Sequence, residues 1–411
     1  RWGREVDIVS NDHYLAADDP RNHVGLAMAA DLTRSVAGGR PWILMEHSTS
    51  GVTWQPRNVA KRAGEMRRNA LSHLGRGADA IMFFQWRASR SGAEKFHSAM
   101  LPHAGTSSRI WSEVRELGGE LGALAELRGS TVRAEAALLW DWQSFWAQDL
   151  EWRPSEDVSH RERIGAYYDR LWRDGVTTDF AHPEADLSRY RLVIAPASYM
   201  LTAAAAENLR RYVERGGTLV VSFFSGIVDE NDAVHVGGFL APLRAVLGLT
   251  VEEFLPLRVG ERIHLDVGEL VGDVWADHIV PDGAQTVARY LDGPAAGGVA
   301  ITRNRLGAGS AWYVSTRLDV DGLSAVLGPV YADAGIIPSE VPSEVEVMHR
   351  HGSEHDFSIV INHGDVSVDL AVVGTDLLTG ERVDGRTVAS GGAVVVREGL
   401  ASARTSRGGV G

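Results

Sequence analysis

Two places in this 411-residue chain set side chains at spacings that could do chemistry. In the first, four apolar residues, Trp42 to Met45, run straight into a carboxylate, Glu46, and then into the small-residue segment His47-Ser-Thr-Ser-Gly51, with Trp54 and Pro56 beyond. An uninterrupted apolar run of this length fits a strand buried on both faces, as in a parallel sheet. A carboxylate where such a strand ends stands at the mouth of the sheet, where barrel enzymes keep their reacting groups. The plainer alternative makes Glu46 the first solvated residue of a loop. In the second place, Glu94 and His97 lie three residues apart, which on a helical turn puts both on one face. That pair has three readings: half of a di-metal Glu-x-x-His motif, an acceptor and donor fixed together for a polyhydroxylated ligand, or an exposed ion pair. The metal reading needs a second copy and further carboxylates on partner helices, and the sequence supplies neither.

The elements that must hold these groups alternate. Glu5–Tyr14 reads as a short strand ending in the polar, aromatic group Asn11, Asp12 and Tyr14. His23–Val36 has helical periodicity and stops at Gly38-Gly39. The strand into Glu46 follows, then a helical stretch over Asn58–Gly75, a third strand over Ala78–Arg87 ending in Gln85, Trp86 and Arg87, and a helix over Arg109–Leu127. Strands alternating with helices of this length call for a parallel α/β arrangement. Three units are too few to close a barrel of eight. Either this third of the chain is an open sheet, or it is the end of a barrel.

Composition narrows the classes. Apolar residues are 44% and charged residues 23%, the balance of a globular protein with a real core. A formal net charge of -13 argues against a non-specific nucleic-acid binder. No apolar run approaches the roughly 18–20 residues that cross a bilayer, and Arg1-Trp-Gly-Arg-Glu-Val-Asp lacks the apolar stretch of a secretion signal. The absence of cysteine excludes disulfides and thiolate metal sites, and leaves a reducing cytoplasm as the expected compartment. Twelve tryptophans, many of them before position 173, suit a sugar-binding cleft and equally an ordinary core.

Taken together, Met45-Glu46, Trp54 with Pro56, Phe83-Phe84-Gln85-Trp86-Arg87, Glu94-Lys-Phe-His97 and Pro102-His103-Ala-Gly105 resemble glycoside hydrolase family 42, the β-galactosidases. The likeness continues through Gly226-Ile-Val-Asp229-Glu230-Asn231-Asp232 and Gly237-Gly238, and so covers nearly the whole sequence. It implies the C-terminal part of a (β/α)8 TIM barrel over residues 1–128 and a doubly wound, amidotransferase-like trimerisation domain over 129–338. A small antiparallel β domain over 339–400 and a tail over 401–411 complete the expected organisation. By the same resemblance Glu46 matches the nucleophile that ends the seventh barrel strand. Trp54 matches part of the galactose pocket, Glu94 and His97 match groups that hold sugar hydroxyls, and Tyr14 matches the tyrosine that contacts the nucleophile. The implied assembly is a homotrimer, with no metal or organic cofactor, no nucleic acid and no membrane. The loop His47-Ser-Thr-Ser-Gly51 departs from the Gln-Pro-Gly-type segment common in the family, which bears on the preferred sugar.

Retaining hydrolysis needs two carboxyl groups about 5–5.5 Å apart. The family's acid/base Glu follows an Asn at the end of the fourth barrel strand, whereas the first strand here matches the sixth. Glu5 sits at the wrong end of its strand and Glu65 inside a helix, so neither replaces it. The expectation is therefore a β-galactosidase fragment that is inactive by itself. Two alternatives stand beside it: an α-L-arabinopyranosidase of the same family, and a non-catalytic sugar-binding or assembly protein. An upstream reading frame encoding a strand that ends in Asn-Glu would favour the enzyme, and a start codon directly before Arg1 the binding protein.

The rest of the chain carries less chemistry. Thr131–Asp141, Tyr190–Pro196 and Gly216–Phe224 read as buried strands between helical stretches at Ser159–Asp174 and Ala203–Arg215, a second doubly wound sheet. It has neither a cysteine nucleophile nor a Gly-rich phosphate loop. Trp140, Trp142, Phe145 and Trp146 form an aromatic cluster at a strand end, either a subunit contact or internal core. Asp229–Asp232 lacks the spacing of a calcium loop and reads as a solvated turn. Four strands, Glu344–Met348, Asp356–Asn362, Ser367–Val372 and Gly392–Val396, make the small β domain.

Overall fold

The computed structural model describes residues 2–150 and 152–399, so the expected tail 401–411 lies outside the described residues. The chain divides into two compact units: residues up to Arg133 join those from Glu340 onward in one, and Ala134–Ser339 form the other.

The first unit begins with β1 (Ser10–Asp12), α1 (Asn22–Val36), β2 (Trp42–Glu46), α2 (Glu65–Gly75), β3 (Ala78–Ile81) and α3 (Arg109–Ala123). The strands form one parallel sheet in the order β1-β2-β3. Trp42 and Leu44 are fully buried among Val9, Ala30, Ala37 and Ala78, but Ile43 is only partly buried and Met45 is 40% exposed, so β2 is covered on one face and not on the two that its apolar run led one to expect. One extra residue bulges from β2, so that Asn11 opposes Leu44 but Asp12 opposes Glu46. Three expected elements come out shorter. The first strand pairs only from Ser10, because Ile8 points into solvent at 59% exposure. The second helix starts at Glu65, with Asn58–Gly64 irregular, and the third strand leaves the sheet after Ile81. Gly77, at φ +104°, makes the sharp link between α2 and β3 that a residue with a side chain would strain.

The second unit continues with β4 (Ala136–Leu139), α4 (Trp142–Gln148), α5 (His160–Arg173), β5 (Thr178–Ala181), β6 (Leu192–Ala195), α6 (Ala203–Glu214), β7 (Thr218–Ser222) and α7 (Arg244–Leu247). Then come β8 (Leu249–Pro256), β9 (Arg262–His264), β10 (Val271–Asp273), β11 (Trp275–Pro281), β12 (Gln285–Arg289), β13 (Val299–Leu306), β14 (Gly309–Val314), β15 (Arg317–Leu318) and α8 (Val320–Ala334). Its main sheet runs β12-β13-β14-β7-β6-β4-β5, parallel from β14 to β5 and antiparallel at the β12–β13–β14 edge. All of β4, β5, β6 and β7 is buried, as a sheet covered on both faces requires. This is the doubly wound architecture expected. The antiparallel strands β8 to β13, with their polar alternation, are an addition that the sequence reading passed over.

The last elements belong to the first unit: β16 (Val345–His351), β17 (Asp356–Asn362), β18 (Val368–Asp376), β19 (Arg382–Val388) and β20 (Ala393–Glu398), an antiparallel sheet in the order β16-β17-β20-β18-β19. There are five strands, not four; Arg382-Val-Asp-Gly-Arg-Thr-Val388 is too polar to read as one, and only Val383 and Val388 are buried. Phe357, Ile359, Ile361 and Val395 pack on Leu71 and Leu74 of α2 and on Leu124 and Leu127. Gly75 closes α2 because a Cβ there would lie 2.5 Å from the Met348 sulfur. Polar contacts fix the same interface. Arg350, fully buried, donates to the carbonyls of Leu74 (2.9 Å), Ala78 (3.0 Å) and Ser130 (2.8 Å) and to Asp79 (2.8 Å). Arg76 joins Glu346 (2.6 Å) and Asp31, which also takes a bond from Arg34.

Candidate active site

Glu46, Tyr14, Trp54 and His97 come together at the carboxyl ends of β1, β2 and β3. The Tyr14 hydroxyl donates to Glu46 Oε2 at 2.8 Å. The Tyr14 ring meets Trp54 edge to face at 4.8 Å between centroids, and Trp54 stacks on His97 at 5.3 Å. His97 also lies 6.1 Å from Tyr14 and 5.2 Å from Phe84, both edge to face. Trp54 remains 54% exposed, leaving an aromatic face open to a ligand beside the carboxylate.

Backbone bonds explain why residues so far apart converge. His13 N–H donates to the Glu46 carbonyl (3.0 Å) and Phe84 N–H to the His47 carbonyl (3.0 Å), so the strand ends stay in register beyond the sheet. Gln55 clamps the β1 loop to the β2 loop through Ala17 N–H (2.9 Å) and the Leu15 carbonyl (2.5 Å). Ser98 braces the β2 loop against the segment after β3, accepting from Ser50 N–H (2.8 Å) and donating its own N–H to Gly51 (3.0 Å).

The electrostatics favour a protonated Tyr14. Partial burial, the bond to Glu46, and the charges of Glu46, Asp12 and Glu94 all push its hydroxyl above the ordinary tyrosine range. The tyrosine is thus a fixed hydrogen-bond donor to the carboxylate. Partial burial and the Glu46 charge likewise raise Asp12. His97 Nδ1 faces the Ser98 carbonyl at 2.7 Å and so carries the proton, which leaves Nε2 a buried acceptor without a protein partner.

Two expectations change. Glu94 and His97 do not share a helical face: residues 93–96 form a turn, Glu94 is exposed and His97 is 1% exposed. Glu94 still acts on the site through its charge on Tyr14. The loop after Glu46 is not solvated either, since His47, Ser48, Thr49 and Ser50 are all buried, which removes the plain reading of Glu46 as the start of an exposed loop.

Sequence reasoning gave no role to Asp12, which register sets opposite Glu46, and passed over the groups beneath the site. Lys61 is 7% exposed and its ammonium donates to His47 Nε2 (2.9 Å) and to the Ser48 carbonyl. Burial, before any neighbouring charge, lowers Lys61 to about 7 and His13 to about 4, and pushes His47 and His73 well below the usual imidazole range. Asp12 was visible as a polar strand end; nothing in linear spacing pointed to Lys61 or His73.

The middle unit offers a surface. Asp141 caps α4, accepting from Gln143 and Ser144 N–H at 3.1 Å each, and the helix presents Trp142 and Trp146 at 49% and 63% exposure. Asp229 folds its loop on itself, accepting from Asn231 (2.8 Å) and Ala233 (3.1 Å), a solvated turn as expected. Among the described residues no helix is long and apolar enough to cross a membrane.

Comparison with known proteins agrees with this architecture. Residues 1–124 match the family described as β-galactosidase, residues 134–337 the β-galactosidase trimerisation domain, and residues 344–398 the β-galactosidase C-terminal domain. A β-galactosidase of Arthrobacter sp is 44% identical over 399 residues, 97% of this chain and 57% of the relative. The β-galactosidase BgaB of a Geobacillus sp. is 44% identical over 397 residues, 95% of this chain and 58% of the relative. The crystal structure of the β-galactosidase from Bacillus circulans sp. alkalophilus superposes with a TM-score of 0.92 at 34% identity, over 97% of this chain and 61% of that one. The chain thus spans about three fifths of the length of the relatives it matches. With the terminal portion of a TIM barrel, the trimerisation domain and the C-terminal β domain in order, the chain belongs to the family 42 β-galactosidases.

Proposed function

We propose that these residues carry the nucleophile half of a retaining β-galactosidase acting on terminal, non-reducing β-D-galactose. The observation that carries this reading is the 2.8 Å bond from Tyr14 to Glu46 beside the Trp54–His97 stack. A carboxylate held by a neutral donor, facing an aromatic platform and an unpartnered imidazole acceptor, suits attack on an anomeric carbon with the sugar stacked alongside. In this scheme Glu46 forms the covalent galactosyl-enzyme, and Trp54, Glu94 and His97 hold the sugar. The first step also needs an acid to protonate the leaving oxygen, and the second needs its conjugate base to activate water. Asp12 is too close in register to Glu46 to flank the scissile bond from the far side. The proposal places the acid/base outside these 411 residues, so this chain alone is expected to be inactive.

The match to a trimerisation domain supports assembly as a homotrimer, and the exposed Trp142 and Trp146 are the proposed contact. The test is a fluorinated galactosyl substrate that traps the intermediate. With a polypeptide holding the whole barrel, mass mapping should place the sugar on Glu46, and Glu46→Gln should abolish both labelling and turnover. A label on another residue, or turnover of an aryl β-galactoside by the 411-residue chain, would refute the assignment. Comparing aryl β-galactoside with aryl α-L-arabinopyranoside sets the sugar preference.

A further inference from the structure

Beneath the proposed nucleophile, His13, His47 and His73 turn their rings toward one another from three different elements. His13 follows β1, His47 follows β2, and His73 lies near the end of α2. Their candidate donor nitrogens all lie within 4.8 Å of one another. Ring centroids are 5.5 Å apart for His13–His73 and 5.7 Å for His47–His73, with interplanar angles of 67° and 74°. We propose that this cluster is a three-histidine site for a divalent transition metal, zinc by preference.

The geometry can be checked against coordination chemistry. A Zn–N bond of about 2.0–2.1 Å puts each ring centroid roughly 3.2 Å from the metal, so two rings at a tetrahedral angle have centroids about 5.2 Å apart. The observed separations exceed this by less than about half an ångström, a small contraction for side chains on separate elements. Ring planes steeply inclined to one another are what radiating ligands adopt.

Two of the three histidines also hold unspent donors. His73 is fully buried, yet neither of its ring nitrogens has a hydrogen-bond partner, and His13 Nδ1 has none. Burying polar nitrogens unpaired is costly, and a metal bond would remove that cost at one nitrogen of each ring. His47 is arranged as a ligating histidine commonly is: Nδ1–H donates to the His13 carbonyl at 2.8 Å, which fixes the tautomer and leaves the Nε2 lone pair as the acceptor. The Lys61 ammonium now donates to that Nε2 at 2.9 Å, so the metal would take the place of a built-in cation. Lys61 keeps its bond to the Ser48 carbonyl. Imidazole-only donors with an open fourth position suit zinc, cobalt or nickel over magnesium or calcium, which take oxygen. The ion would tie the ends of β1, β2 and α2 together one residue from Glu46, and this inference does not depend on the glycosidase reading.

The test uses the purified 411-residue chain, stripped with chelator and titrated with CoCl2 and then ZnCl2. One Co2+ per chain with the intense visible absorption of a tetrahedral site is expected, displaced by one Zn2+, together with a rise in the thermal midpoint. His73→Phe should abolish the cobalt band and weaken Zn2+ binding by about 100-fold or more. Lys61→Met, which removes the competing ammonium, should tighten Zn2+ binding about tenfold. The cobalt spectrum of the unaltered chain stands whether or not a variant folds, and its absence overturns the proposal. So does Zn2+ binding that His73→Phe, folded by circular dichroism, leaves unchanged, since that marks a different site among the fifteen histidines.

Discussion

Asp277, in β11, is a carboxyl whose ionisation the fold opposes. It is 1% exposed, and its oxygens accept from Trp275 Nε1 at 2.8 Å and from the Tyr313 hydroxyl at 2.6 Å. Burial raises its pKa from 3.8 to about 7 against the opposing pull of those two donors. A folded-state pKa above the unfolded one means that the unfolded chain binds fewer protons between the two values, so stability falls as pH rises through that window. At about 1.4 kcal/mol per unit, a shift of roughly 3 units withdraws on the order of 4 kcal/mol between about pH 4 and pH 8. About 2–3 kcal/mol of that falls between about pH 5 and pH 8.5. Asp277→Asn keeps the size and an acceptor for Trp275 but cannot ionise. Urea midpoints of the natural chain and the variant at about pH 5 and pH 8.5 isolate this group, because every other titration is common to both. The variant should lose ground to the natural chain at the lower pH and gain about 2–3 kcal/mol relative to it at the higher. A difference that stays constant within about 0.5 kcal/mol across the two pH values would refute the reasoning.

The first unit should respond to pH in the opposite sense. Burial alone would raise Glu346, but Arg76 and His363 more than offset it and hold the carboxyl well below its ordinary value of 4.5. Its contribution is present above that value and lost as pH falls through the folded pKa, so Glu346→Gln should cost most near about pH 7 and progressively less in acid; equal cost at both would contradict the pairing. Arg350→Met leaves three carbonyls and Asp79 without their donor and should cost about 3–5 kcal/mol, read as a lowered urea midpoint; a loss under about 1 kcal/mol would show the contacts to be dispensable. In a polypeptide with the complete barrel, Tyr14→Phe removes a charge-assisted bond worth about 1.5–3 kcal/mol and should lower kcat/KM about 10- to 100-fold with the fold intact; unchanged kinetics would remove Tyr14 from the site.

The site was legible in the sequence where chemistry sits at the end of an apolar run. Glu46 ends the strand that the run Trp42–Met45 marked, although only Trp42 and Leu44 of that run are buried, so the apolar run located the strand and overread its burial. Strand lengths were overread for a related reason. Val6, Ile8 and Phe83 are apolar, but the sheet ladder stops short of them, and apolarity alone does not report pairing. The helical reading of Glu94–His97 failed because spacing constrains faces only on a helix, and Gly92 at φ +84° leads into a turn. His73 and Lys61 were invisible for a different reason: one sits within a helix and the other in a loop, and only the packing of three elements brings them to His47.

Arg76 and Glu346 stand 270 residues apart, and the whole of Ala134–Ser339 is made between them. On a ribosome adding about 5–20 residues per second, Arg76 waits on the order of tens of seconds for its carboxylate. Leu71 and Leu74 wait as long for Phe357 and Ile359, so an apolar face of α2 stays uncovered while the middle unit, contiguous in the chain, emerges and folds by itself. Residues of α2 are thus made long before the contacts that complete them. A nascent chain stalled before β16 would expose that face and be a ready client for chaperones.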